Sequence, residues 1–178
     1  MCLLIYKPAG NKLPSYNDLK AAADCNPDGF GFATPKTYFR SLNFDVFYTH
    51  LLNVKDSEPC IIHLRWATHG SVKISNCHPF KKGHVVFAHN GVLSIEPLKD
   101  KTDSETAFIT RIYPTVQRYG LYSREVSQVV NSIIGGSKFA IMTTNGETKL
   151  FGNFTRLEDG NFYSNTRHLY RRMIRNVI

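Results

Sequence analysis

Short apolar runs alternate along the chain with polar stretches punctuated by Gly, Pro and Asn. Runs rich in β-branched and aromatic side chains predict strands at 2–6, 29–33, 38–42, 60–64, 84–88, 138–143, 148–151 and 161–164. Helical spacing of apolar positions predicts helices at 16–23, 44–54, 103–119, 123–134 and 167–176. The helix at 103–119 has the clearest start. Thr102 followed by Glu105 forms a capping box, able to satisfy early unpaired N–H groups. Ala107, Phe108, Ile112 and Thr115 then share one stripe. The next helix opens at Ser123 and stops at Gly135-Gly136. Two successive helices between groups of strands predict a layered α+β domain.

Composition narrows the class of protein. The 178 residues, 42% of them hydrophobic, suffice for one domain with a buried core. No apolar run approaches the roughly 18 residues of a membrane span. The stretch after Cys2 lacks a basic flank and a cleavage site, so it does not read as a secretory signal. The expected location is cytoplasmic, or host cytoplasm if the source is viral. The net charge of +8 is uneven. Arg167, Arg171, Arg172 and Arg175 stand near the C-terminus without an acidic residue among them. A solvated helix face is the ordinary reading of such a cluster. Nucleic acid is therefore not the first partner expected, although a basic binding module is a competing reading. Four cysteines without a C-x-x-C pair predict neither a disulfide framework nor a metal site. Cys25, Cys60 and Cys77 read as small buried hydrophobes.

Several segments are more polar and Gly-rich than a core needs. They are Asn26-Pro-Asp-Gly-Phe-Gly-Phe-Ala33, Arg65-Trp-Ala-Thr-His-Gly70, Asn76-Cys-His-Pro-Phe80 and His89-Asn-Gly91. Three of them adjoin predicted strands, where loops carry function on a rigid scaffold. Arg65 closes an apolar strand and is expected to point into a pocket or a salt bridge.

Taken together and in this order, Cys2, DGFG, RWATHG, NCHPF, HNG and TDSE resemble the class II glutamine amidotransferases, a branch of the N-terminal-nucleophile hydrolases. The likeness is especially close to stand-alone members without a fused synthase. The resemblance implies a four-layer αββα sandwich spanning residues 1–178 as one domain, with Met1 removed. It implies Cys2 as nucleophile, with its own α-amine as base once Met1 is gone. The amine and thiol have reference pKa values of about 7.7–8.0 and 8.5, so the amine can take a proton near neutrality. The Asn90 side-chain amide and the Gly91 N–H would supply the oxyanion donors. Arg65 would pair with the substrate α-carboxylate and Asp103 with its α-ammonium. Asp103 at a helix start also has a plain reading as a favourable dipole contact. Thr68 and His69 would line the substrate pocket, and Asp28 and Gly29 would shape the site. His78 and His89 read as satisfied structural histidines. The implied reaction is hydrolysis of the glutamine side-chain amide, without metal or organic cofactor. The ammonia passes to a separate acceptor synthase, or the enzyme works alone. A larger γ-glutamyl amide is the nearest alternative substrate.

Overall fold

The computed structural model describes residues 2–67, 71–167 and 169. Met1, Thr68, His69 and all of the predicted 167–176 helix except residues 167 and 169 lie outside that set. The first sheet has the order β3-β2-β4-β1-β10-β9. Its strands are β1 (Leu3–Lys7), β2 (Phe30–Ala33), β3 (Tyr38–Ser41), β4 (Cys60–Leu64), β9 (Thr155–Arg156) and β10 (Phe162–Tyr163). The second sheet has the order β5-β6-β7-β8. It comprises β5 (Phe80–Lys82), β6 (Val85–Asn90), β7 (Lys138–Thr143) and β8 (Thr148–Phe151). Every pairing in both sheets is antiparallel.

Strand alternation sorts the side chains into three core layers. Leu3, Ile5, Phe30, Phe32, Cys60, Ile62 and Leu64 face one way and pack on α1 (Tyr16–Cys25) and α2 (Phe44–Leu51). Val85, Phe87, Phe139 and Ile141 face away on the second sheet. They meet a helical layer of α3 (Asp103–Ala107), a π-helical turn (Phe108–Ile112), α4 (Tyr113–Tyr119) and α5 (Arg124–Ile133). Between the sheets lie Leu4, Ala33, Ile61, Val86, Ala88, Ala140 and Met142. Three alanines in this middle layer let the sheets approach closely. The result is the expected αββα sandwich. β4 is buried at all five positions, because both of its faces are covered.

Helix starts follow their caps. Ser15, Asn43, Thr102 and Ser123 each accept a hydrogen bond from the backbone N–H three residues on. Only half of the expected capping box forms, because the Glu105 carboxylate pairs with Lys101 at 2.8 Å instead. The 103–119 helix contains a π-helical turn, which adds a residue to the winding. The buried stripe consequently continues from Ile112 to Val116 rather than to Thr115. α2 ends at Leu51, three residues short of the expected 54. β5 and β9 are additions. β5 has Lys81 and Lys82 exposed, and β9 is a two-residue edge strand exposed at both positions, so neither shows a strand pattern in sequence. Lys7 is fully buried, and its ammonium donates to the carbonyls of Pro8, Lys55, Asp56 and Glu58 at 2.8–3.4 Å.

Candidate active site

Strand parity sets up the site. Cys2 immediately precedes β1 and shares the parity of Leu4, which faces the middle layer. Asn90 closes β6 with the parity of Val86 and Ala88, which face the same layer. Cys2 and Asn90 thus sit at the ends of strands from opposite sheets. Cys2, Arg65, Gly91 and Asp103 line one cavity of ≈ 520 Å³, within the range of small-molecule sites.

On the first-sheet side, the backbone holds each group. The Trp66 N–H donates to the Cys2 Sγ at 3.3 Å. The Asn165 side-chain amide donates to the Cys2 carbonyl at 2.8 Å. Burial pushes the Cys2 thiol pKa up, an effect that the Trp66 N–H and the positive Arg65 only partly oppose. The thiol is therefore protonated near neutrality, and attack requires a base to take its proton. Arg65 is 5% exposed, and its guanidinium donates to the Ser71 carbonyl at 3.4 Å. Asp28 shapes this wall directly. Its carboxylate accepts the Ala67 N–H at 2.7 Å, and its own N–H donates to the Arg65 carbonyl at 3.0 Å. Gly29 accepts the Arg65 N–H at 2.7 Å through its carbonyl. Its φ of +145° and the Cys77 Sγ, 2.3 Å from where a Cβ would stand, leave room for glycine alone.

The second-sheet side is built differently. Asn90 is buried, and its side-chain NH2 donates to the Ser164 Oγ at 2.8 Å. Its Oδ1 is buried without a partner among the described residues. Asn90 lies behind the cavity wall, whereas Gly91 forms part of it. Its surroundings require a glycine at 91: φ is +145°, and a Cβ would collide with the Ser137 Oγ. Asp103 accepts the Leu93 N–H at 2.8 Å on one oxygen. It accepts the Ser104 N–H at 2.8 Å and hydroxyl at 3.2 Å on the other. A carboxylate has about four acceptor positions, so capacity remains for a further donor from the cavity.

Three histidines gather at this wall, two of them, His78 and His89, lining the cavity, and they correct the expectation that His78 and His89 are fully satisfied rings. The His63 and His78 ring centroids are 4.4 Å apart, and those of His78 and His89 are 6.3 Å apart. His63 Nε2 meets the His89 carbonyl at 3.0 Å, so it carries the proton. His89 Nδ1 meets the Ser104 hydroxyl at 2.7 Å. That hydroxyl donates to Asp103, which makes His89 Nδ1 the protonated nitrogen. His63 Nδ1, His89 Nε2 and both nitrogens of His78 are buried without partners among the described residues. Burial pushes the pKa of His63 down to about 3 and that of His78 well below its ordinary value. Burial likewise lowers His89 to about 4 despite the nearby Asp103. All three rings are neutral near pH 7. Among the described residues, no three His, Cys, Asp or Glu side chains are placed to hold a metal ion.

The other cysteines divide. Cys60 and Cys77 are buried, as expected, but Cys25 is only half-buried. Sequence reasoning missed Trp66 as the thiol's backbone partner and Ser164, Asn165 and Ser104 as second-line supports. Ser164 and Asn165 follow an unremarkable strand, and no motif marks them.

Two antiparallel sheets between helical layers, with a cysteine heading a central strand, define an N-terminal-nucleophile hydrolase architecture. A Bacillus subtilis glutamine phosphoribosylpyrophosphate amidotransferase complexed with ADP and GMP shares this fold. The TM-score is 0.59 at 18% identity, over 92% of this chain and 41% of that one. The model of the class II glutamine amidotransferases matches residues 12–154, and the chain belongs to that family. Glutamine–fructose-6-phosphate aminotransferase (isomerizing) of Zymomonas mobilis is 29% identical over 103 residues, covering 52% of this chain and 17% of the relative. The corresponding protein of Escherichia coli K12 is 45% identical over 42 residues, covering 23% of this chain and 7% of the relative. The chain thus spans a fifth or less of these curated relatives. No described helix is long and apolar enough to cross a membrane.

Proposed function

We propose that the protein hydrolyses the side-chain amide of glutamine. The observation that carries this reading is the meeting of Cys2, Arg65, Gly91 and Asp103 on one cavity, from both sheets. With Met1 removed, the Cys2 α-amine takes the thiol proton and the sulfur attacks the amide carbonyl. The Gly91 N–H and the Asn90 amide stabilise the oxyanion. The C–N bond breaks as the nitrogen receives a proton, and ammonia leaves. A γ-glutamyl thioester remains on Cys2, and water then releases glutamate and restores the thiol. Arg65 binds the substrate carboxylate as a bidentate fork, and Asp103 takes its ammonium with its remaining acceptor capacity. Thr68 and His69 complete the pocket by family resemblance, with Asp28 and Gly29 as supports. In this reading the ammonia is passed to a separate acceptor enzyme.

A larger γ-glutamyl amide is a second reading. It is favoured by the cavity's extension past these residues to Lys73, Ile95 and Pro97. The test is N-terminal mass measurement followed by glutamate release from glutamine and from a γ-glutamyl anilide. The expected result is loss of Met1 and release from glutamine that Cys2→Ala abolishes. Retained Met1, or activity unchanged in Cys2→Ala, overturns the assignment. Faster release from the anilide favours the second reading.

A further inference from the structure

The Asn90 amide is wired in a way that leaves its hydrogen bonding unbalanced. Ser164 Oγ accepts two donors, the Leu4 N–H at 2.9 Å and the Asn90 NH2 at 2.8 Å. No acceptor for the Ser164 hydroxyl proton is present among the described residues. Asn90 Oδ1 meanwhile is buried with no donor among the described residues. A buried carbonyl left in this state is destabilising, because it has given up water without gaining a donor. It is also the wrong end of the amide to present to a developing negative charge.

Rotating the amide by about 180° about its last side-chain bond exchanges the two ends without moving any other atom. The Ser164 hydroxyl, still holding the Leu4 N–H, then donates to Oδ1. The NH2 then takes the buried position of Oδ1, behind Gly91 and without a partner among the described residues, where an oxyanion that enters past Gly91 accepts from it. We propose that Ser164 is the positioning residue of the oxyanion site. Its hydroxyl fixes the carbonyl end of Asn90 and turns the amide N–H toward the reacting oxygen. The same residue is joined to the nucleophile strand. The Ser164 N–H donates to the Leu4 carbonyl at 2.8 Å, and the neighbouring Asn165 holds the Cys2 carbonyl. Ser164 therefore ties the two sheets together where nucleophile and oxyanion donor must keep their spacing. This inference rests on the glutaminase reading of the site.

The test compares wild type, Ser164→Ala and Ser164→Thr, with thermal stability recorded for each. Turnover of glutamine is measured alongside inhibition by glutamate γ-semialdehyde and alkylation of Cys2 by iodoacetamide. The aldehyde adds reversibly to the thiol: the S–C bond forms, and the carbonyl oxygen takes the charge or proton of a hemithioacetal. Ser164→Ala is expected to lower kcat roughly 10- to 100-fold, less than the 10²–10³ of losing an oxyanion donor outright. KM stays within about twofold, the aldehyde Ki rises by the same factor as kcat falls, and alkylation is unchanged. Ser164→Thr, which keeps the hydroxyl, restores most of the loss. Wild-type kcat in Ser164→Ala overturns the proposal. So does a loss matched by slower alkylation, which assigns Ser164 to the strand clamp alone, or a folded Ser164→Thr that restores nothing. A wild type that binds the aldehyde but releases no glutamate from glutamine overturns the glutaminase reading instead. The ratio of aldehyde Ki values then still decides the role of Ser164.

Discussion

The two walls of the cavity are built on opposite plans. The wall from the first sheet, running through Cys2, Arg65, Trp66 and Ala67, is fixed by backbone hydrogen bonds and the Asp28 carboxylate. The wall from the second sheet, with Gly91 and Asp103 and with Asn90 behind it, carries or covers polar atoms that have no partner among the described residues. These are Asn90 Oδ1, His89 Nε2 and both nitrogens of His78. Satisfied groups give position, because their geometry is overdetermined. Unsatisfied buried groups are held ready for something that arrives. In the proposed mechanism the first wall places the nucleophile and the second meets the developing charge.

The largest effect expected from breaking this arrangement is at the nucleophile. Cys2→Ala should lower glutamate release on the order of 10⁴-fold or more. Its thermal stability should stay close to wild type, since the half-buried thiol fills little core. Rates and melting curves on the same preparation check this. A variant that loses activity only by unfolding would deny Cys2 its chemical role.

Next comes acid destabilisation, which probes the three histidines where the walls meet, His63 from β4 of the first sheet, His89 from β6 of the second and His78 ahead of β5. Their folded pKa values lie below the unfolded value of about 6.5: about 3 for His63, about 4 for His89, and well below ordinary for His78. The unfolded chain therefore binds protons first as pH falls. The stability is complete above about pH 6.5 and declines toward pH 4, by roughly 1.4 kcal/mol per pH unit for each ring. At pH 5 the three together remove on the order of 5 kcal/mol. Urea unfolding at pH 8, 6 and 5 measures it. His78→Asn should flatten the slope, and an unchanged slope would show that this ring does not stay neutral in the fold.

Asn90→Ala follows, at about 10²–10³ in kcat with little change in KM. A drop confined to KM would move Asn90 from the oxyanion to ground-state binding. Arg65→Lys tests the other wall. Loss of the bidentate fork should raise KM for glutamine about 10- to 100-fold with kcat within a few-fold. An unchanged KM would remove Arg65 from carboxylate recognition.

How much of this contrast was legible in the sequence also divides by wall. Strand and helix patterns give a layered α+β domain, and the ordered motifs, through their resemblance to the family, imply the αββα sandwich with Cys2, Arg65 and Asp28, since such local features are written in contiguous residues. Gly91 was readable as a required glycine. Its reason was not, because Ser137, the residue that excludes a Cβ, lies 46 positions away. The same holds for Ser164, 74 positions from Asn90, and for the histidine trio, whose orphan nitrogens arise only when β4, β6 and the segment before β5 converge. β5 and β9 escaped notice because short, exposed strands carry no alternation. The π-helical turn escaped because its extra residue is a matter of winding rather than residue type.

The smallest expected effect tests whether the first wall depends on its hydrogen bonds being charged. Asp28→Asn keeps an oxygen facing the Ala67 N–H but makes the 2.7 Å bond neutral. A charged partner contributes about 1.5–3 kcal/mol and a neutral one about 0.5–1.5, so about 1 kcal/mol is lost. For a chain of this size that is a fall of about 2–4 °C in Tm. Because Asp28 holds the segment carrying Arg65 and Trp66, the same loss should appear as a rise of a few-fold in KM. Alkylation of Cys2 should not change, since the Trp66 N–H reaches the thiol through its own bond. If Asp28→Asn instead slows alkylation as strongly as it raises KM, the first wall moves as one body. Nucleophile and carboxylate anchor are then positioned by a single carboxylate rather than by independent backbone contacts.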